Sequence, residues 1–331
     1  MHVLAAPDKF RGTATASEVA GAIAAAALDA GWTCTELPMA DGGEGTLAAL
    51  GGPNRSSTVS GPLGDDVAAP WRLSRGVAVI EMALASGLDL VGGAEGNDPI
   101  AASTYGTGEL IAEAVEGGAK RVIIGVGGSA TTDGGLGALR ALYPLQRLRG
   151  VELVVACDVR TGFVDAADVF AGQKGASAAQ VELLRRRLER LAQVYLEEHG
   201  VDVRCLDHAG AAGGLAGGLA AAGAELVEGF DVVADELDLD EALEGADLVI
   251  TGEGFLDDQS FEGKVVGGVA ERARALGVPV VCIAGEVYAE VGDAIEALSL
   301  VERYGDERAR ADTVACIREV AAGAIRLRSA G

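Results

Sequence analysis

The stretch that most constrains this chain runs from Arg121 to Leu142, RVIIGVGGSATTDGGLGALRAL. Its apolar, β-branched opening, Val122 to Val126, suits a strand buried on both faces. A turn of Gly127, Gly128, Ser129, Ala130, Thr131, Thr132, Asp133, Gly134 and Gly135 follows, and then Leu136, Leu139, Ala141 and Leu142 recur at helical spacing. Strand, glycine-rich loop and helix together make a place for an anion. Glycines let a ligand approach the backbone, hydroxyls donate, and the helix N-terminus presents unpaired N–H groups. The loop is not a P-loop, since no lysine follows its last glycines, and it lacks the G-x-G-x-x-G spacing. With 49 glycines in 331 residues, an ordinary strand-to-helix turn is the competing reading. The serine, two threonines and aspartate in the loop favour phosphate contacts from Gly127, Gly128, Ser129 and Thr131, with Asp133 as a Mg2+ ligand or hydroxyl base.

Other strand ends have the same texture. Residues 2–6 form a short apolar run that places Asp8, Lys9 and Arg11 beyond the carboxyl end of a first strand, where open α/β sheets bind ligands. A second strand near Cys34–Met39 leads into Asp41-Gly42-Gly43-Glu44-Gly45-Thr46. Asp41 and Glu44 can hold Mg2+ or deprotonate a hydroxyl, although their spacing equally fits the cap of a short helix from Thr46. A strand over residues 247–251 precedes a loop carrying Glu253 and Asp257, and Lys264 opens the next helix. Asp158 ends the buried strand Val151–Cys157, and Lys174 precedes a charged helix at Ala178–Glu197. The run GAAGGLAGG at 210–218 reads as ligand contact or as tight helix packing. Loops of this kind are expected to converge on one cleft.

A chain of 331 residues predicts two domains. Its net charge of −24 argues against nucleic acid or an anionic membrane as partner, because both need a basic footprint. Five scattered cysteines without a C-x-x-C pair suggest neither a zinc site nor a disulfide framework. The opening MHVLAAPDKF lacks a signal-peptide pattern and no run of 18 apolar residues occurs, so a soluble cytoplasmic protein is expected. Neither His2 nor His208 neighbours an obvious nucleophile, His199 lies in the charged helix, and no G-x-S-x-G elbow is present. Carboxylates, glycine loops and a few placed cations suit phosphoryl transfer, which needs positioning and charge neutralisation more than a nucleophilic side chain.

The segments APDKFRGT, PMADGGEGT, EMALASGL, TYGTGEL, IGVGGSATTDGG, QKGA, GAAGG and TGEG…D-x-Q…GK occur in this order, and together they resemble the bacterial type I glycerate kinase family across nearly the whole chain. The resemblance implies ATP- and Mg2+-dependent phosphorylation of D-glycerate, usually at the 2-hydroxyl, with 3-phosphoglycerate the other outcome. It also implies a flavodoxin-like α/β domain, residues 1–55 and 240–331, with a second α/β domain, residues 56–239, inserted into it. On this reading Asp41, Glu44, Asp133, Glu253 and Asp257 are the catalytic candidates, and Asp8, Lys9, Arg11 and Lys264 meet the substrate. Gly127, Gly128, Ser129, Thr131 and Lys174 meet ATP, while Asp133 and Asp158 hold the metal. The chain departs from the family after Leu142, where a longer segment is shortened to YPLQRLRG, and again after Asp158. Those departures keep two kindred readings open, a kinase of another small hydroxy acid and a non-catalytic sensor of such an acid. A dinucleotide-dependent oxidoreductase is disfavoured by the missing fingerprint, and a homo-oligomer is compatible with the sequence without being specified by it.

Overall fold

A five-stranded and a six-stranded sheet organise the chain, which a computed structural model describes over residues 1–261, 263–288 and 295–329. In chain order the strands are β1 His2–Ala5, β2 Thr33–Glu36, β3 Arg55–Ser60, β4 Asp66–Ser74, β5 Val77–Glu81, β6 Arg121–Gly125, β7 Glu152–Cys157, β8 Glu225–Glu228, β9 Leu248–Leu256, β10 Val280–Val287 and β11 Glu296–Ser299. They fall into two compact units, Met1–Asp41 with Phe230–Gly331, and Gly42–Gly229.

The first unit has an all-parallel sheet in the order β11-β10-β9-β1-β2. Counted within the unit this is 2-1-3-4-5, the flavodoxin-like order, whose switch point lies between β1 and β9. β1, β9 and β10 are apolar where helices cover them: Val3, Ile250, Val281 and Ile283 are fully buried with Val19, Ile23, Ile317 and Val320, and Cys282 and Ala284 pack with Val266 and Ala270. The helix Ala16–Asp29 begins where Thr15 and Glu18 form a reciprocal capping box, satisfying orphan donors of the first turn.

The second unit carries β3-β4-β5-β6-β7-β8, antiparallel from β3 to β5 and parallel from β5 to β8. β6 is the strand read from the sequence, and Val122, Ile123 and Ile124 have no exposed surface. Leu110, Ile111, Leu142, Leu215 and Leu219 from the flanking helices complete this core.

Three sequence expectations shift. The unit boundaries lie at 41/42 and 229/230 where 55/56 and 239/240 were expected. Residues 42–54 belong with the second sheet because the helix Thr46–Ala49 is fastened to β5: Glu81 accepts from the backbone N–H of Gly45 at 3.1 Å and of Leu47 at 2.6 Å. At the other boundary, Phe230 lies under Arg272, which also pairs with Asp231 of the helix Gly229–Glu236. The loop expected after residue 251 is strand, since β9 continues to Leu256 in register with β10 at Val287. β3 and β8 were not read from the sequence. β3 is largely polar and β8 only four residues long, so neither shows an apolar run.

Candidate active site

In the second unit the Gly127–Gly135 loop leaves the carboxyl end of β6 and doubles back to start the helix Leu136–Leu142. Beside it is a cavity of about 360 Å3 whose walls include Gly127, Gly128, Ser129, Asp158 and Lys174. Five residues singled out from the sequence as nucleotide or metal contacts thus share one space. Gly127 is needed there for approach: a Cβ on it would come within 2.7 Å of the Gly43 backbone.

Lys174 is 3 % exposed. Its Nζ donates to Ser129 Oγ at 2.7 Å and to the Thr131 carbonyl at 2.7 Å. Burial pushes the amine down to about 7, with the Asp133 charge opposing the shift. Asn97 fixes this arrangement by donating to the carbonyls of Ala130 and Lys174. Nothing in the sequence marked Asn97, because its partners lie 33 and 77 residues away.

Thr131 and Asp133 stand elsewhere. Thr131 has no exposed surface, and its hydroxyl points to the Ala212 carbonyl at 3.5 Å. Ala212, Gly213 and Gly214 have left-handed φ values of 52°, 66° and 89°, and a Cβ on Gly213 would lie 2.0 Å from the Thr131 carbonyl. The GAAGG run packs against the loop at Gly213, while its Ala212 also lines the 360 Å3 cavity, so both of its sequence readings stand. Asp133 is absent from the lining of the 360 Å3 cavity. Its carboxylate accepts from Thr104 N at 2.9 Å, Thr104 Oγ1 at 2.9 Å, Gly135 N at 3.0 Å and Gly137 N at 3.1 Å. Those contacts make it an anchor joining the helices Tyr105–Glu116 and Leu136–Leu142. Glu44 is exposed, and the helix Thr46–Ala49 has Gly45 at its N-cap with no side-chain cap, so the capping-box reading of Asp41 and Glu44 fails. The cap comes from Glu81, which sequence spacing could not connect to a helix 34 residues earlier.

The first unit holds a second group of site candidates, at its switch point. Asp8 follows β1, and its N–H bonds the Gly252 carbonyl of β9 at 2.8 Å. Glu253 is the next residue of β9. Burial raises the Asp8 carboxyl to about 6, with Lys9 opposing and Asp41 reinforcing the shift. Burial likewise raises Glu253 to about 7, reinforced by Asp8 and Asp257 and opposed by a Ser260 hydrogen bond and by Lys264. One Glu253 oxygen, Oε1, is buried without a hydrogen-bond partner. Asp257 is turned towards Ser260, accepting from its N–H at 3.2 Å and its hydroxyl at 3.3 Å. Lys264 is the N-cap residue of the helix Val265–Ala275. Lys9 lies 3.7 Å from Asp8, whereas Arg11 lines a small recess with Gly254, Phe255 and Glu286. Among the described residues no group of three His, Cys, Asp or Glu side chains is arranged to hold a metal, so one would need ligand oxygens as well. No described helix is long and apolar enough to cross a membrane.

A flavodoxin-like unit with carboxylates at its switch point, and an α/β unit with a glycine loop and buried lysine, define a two-unit α/β protein. Comparison with known proteins is more specific. The model of the glycerate kinase family matches residues 3–143 and 144–327, the two parts meeting where the sequence reads as shortened. Glycerate 2-kinase of Escherichia coli K12 is 41 % identical over 334 aligned residues, covering 88 % of this chain and 87 % of that protein. Glycerate kinase of Bacillus subtilis 168 is 39 % identical, covering 87 % and 85 %. A crystal structure of a putative glycerate kinase 2 from Salmonella typhimurium LT2 matches with a TM-score of 0.87 and 36 % identity, covering 100 % of this chain and 99 % of that one. The chain belongs to the glycerate kinase family.

Proposed function

We propose that the protein is a cytoplasmic kinase that transfers the γ-phosphoryl group of ATP to a hydroxyl of glycerate, D-glycerate to 2-phosphoglycerate foremost and 3-phosphoglycerate second. The observation that carries the reading is Lys174, a buried amine fixed on Ser129 and Thr131 in a glycine-lined cavity. A cation and backbone donors held in low dielectric stabilise transferred phosphates without reorganising. In this reading Gly127, Gly128 and Ser129 receive the phosphates and Lys174 offsets their charge.

Mg2+, when bound, neutralises charge that develops on the phosphoryl oxygens. Asp158, on the same cavity wall as Gly127 and Gly128, is the carboxylate that fits it, because Mg2+ takes one or two carboxylates together with substrate phosphates. Asp133 does not fit, since its oxygens are committed to four donor groups.

Glu253 accepts the hydroxyl proton in this scheme. A carboxyl held near 7 is matched to that work at neutral pH, and its unpartnered oxygen leaves a lone pair available. Asp8 shares the charge, with Asp41 and Asp257 shaping the field around the pair. Lys9, Arg11 and Lys264 are the cations offered to the substrate carboxylate.

The test is ADP release with ATP, Mg2+ and a panel of small hydroxy acids, followed by phosphorus NMR of the product. Turnover on D-glycerate with phosphate on the 2-oxygen supports the proposal. Turnover on another acid alone moves the substrate, and saturable acid binding without ADP release replaces the kinase with a sensor.

A further inference from the structure

We infer that the second unit carries a separate binding site for an organic phosphate, in the cavity between the Pro99–Ser103 segment, the helix Leu136–Leu142 and the helix Ala178–His199. The cavity measures about 760 Å3, within the roughly 300–1,000 Å3 that small-molecule sites occupy. It shares no lining residue with the Lys174 cavity.

Its charge is the first argument. Arg140, Arg186, Arg187 and Arg190 line it against one carboxylate, Asp133, whose oxygens are already held by backbone and hydroxyl donors. In a chain with net charge −24 and only 26 lysines and arginines, four arginines around one hollow run against the overall composition. Their donors are not used up. Arg187 gives one Nη1 bond to the Ile100 carbonyl and Arg190 one to Gln193, while Arg186 meets Glu182 through Nε. A guanidinium carries five N–H donors in a fork suited to phosphate oxygens.

The remaining wall is the second argument. Ile100, Leu136, Leu191 and Val194 give an apolar surface that inorganic phosphate alone would leave uncovered, so the ligand has a carbon body as well as its charge. Thr132 contributes to the same wall, is 2 % exposed, and has a buried hydroxyl oxygen without a hydrogen-bond partner. Buried polar atoms are rarely left so, and a water or ligand atom reaching this wall would complete it. This site is independent of the proposed reaction.

The experiment is calorimetric titration of the full-length protein with ADP and, separately, with pyrophosphate, both without Mg2+. Wild type is expected to bind two equivalents of ADP. In Arg140→Ala/Arg190→Ala one equivalent weakens by roughly tenfold or more, the worth of a lost charge-assisted contact, while turnover and the KM for ATP stay unchanged. Both arginines are exposed, and the double glutamine variant keeps their stems should alanine perturb folding. Unchanged binding in both variants overturns the proposal. So does pyrophosphate binding at this site as tightly as ADP, which would leave the apolar wall without a role. A rise in the KM for ATP that parallels the lost equivalent would make the cavity part of the reaction centre and also overturn it.

Discussion

At the scale of single residues, Lys174 and Glu253 show how burial shifts proton affinity. Lys174 is pushed down to about 7 where an unfolded lysine titrates at about 10.4. Between those values the unfolded chain holds the extra proton, so the destabilisation caused by burying this amine shrinks as pH rises. Relative to Lys174→Met, wild type should therefore gain stability between pH 7 and 9, on the order of 1 kcal/mol per pH unit, in paired thermal melts. A difference that stays flat would mean the amine titrates normally. Glu253 is shifted the other way, up to about 7. Its raised carboxyl stabilises the fold below the unfolded value near 4.3, and this contribution is lost as pH rises through about 7. Glu253→Gln should thus retain or improve the melting temperature at pH 8. Its kcat on D-glycerate should fall by about 10²- to 10⁴-fold, the usual worth of a positioned base. Full activity in that variant would move the base elsewhere. In wild type the acid limb of kcat/KM should have an apparent pKa near 7 that belongs to the Asp8–Glu253 pair jointly.

At the scale of elements, a single carboxylate fixes the starts of two helices. Asp133 joins Thr104, at the head of the helix Tyr105–Glu116, to Gly135 and Gly137 at the head of the next. Asparagine would turn an amide N–H₂ toward donors that now meet an anion. Asp133→Asn is expected to cost roughly 1–3 kcal/mol, the range for a buried donor left unpaired, measured by denaturant melts. The effect on kcat should be small once the protein is folded. A large loss of kcat at undiminished stability would restore Asp133 to the chemistry. Gly213 shows backbone packing at the same scale, since φ of 66° and a carbonyl 2.0 Å from any Cβ leave no room for alanine.

At the scale of the whole molecule, the two units differ in how the chain makes them. Gly42–Gly229 is one continuous segment with its own six-stranded sheet and core. The other unit is closed only when Met1–Asp41 meets Phe230–Gly331, because β1 lies between β2 and β9. A fragment spanning Gly42–Gly229 is expected to unfold cooperatively on its own, by circular dichroism, whereas a Phe230–Gly331 fragment should not. A broad, non-cooperative melt of the first fragment would show that its core needs the rest of the chain.

What the sequence by itself determined were the features written in neighbouring residues. The apolar run Val122–Val126 with its glycine turn defined β6 and the loop, and the ordered segments from APDKFRGT to TGEG defined the family. Tertiary structure alone decided what depends on residues far apart. It extended β9 through Glu253, because β10 pairs with it as far as Val287. It placed Ser129 and Lys174 on the wall of the 360 Å3 cavity and left Thr131 and Asp133 outside that wall. It gave Glu81 a helix to cap and Asn97 a loop to fix. The physical reason is common to these cases. Periodicity and spacing report local conformation, whereas the direction of a side chain, its burial and its proton affinity are set by whatever else folds against it.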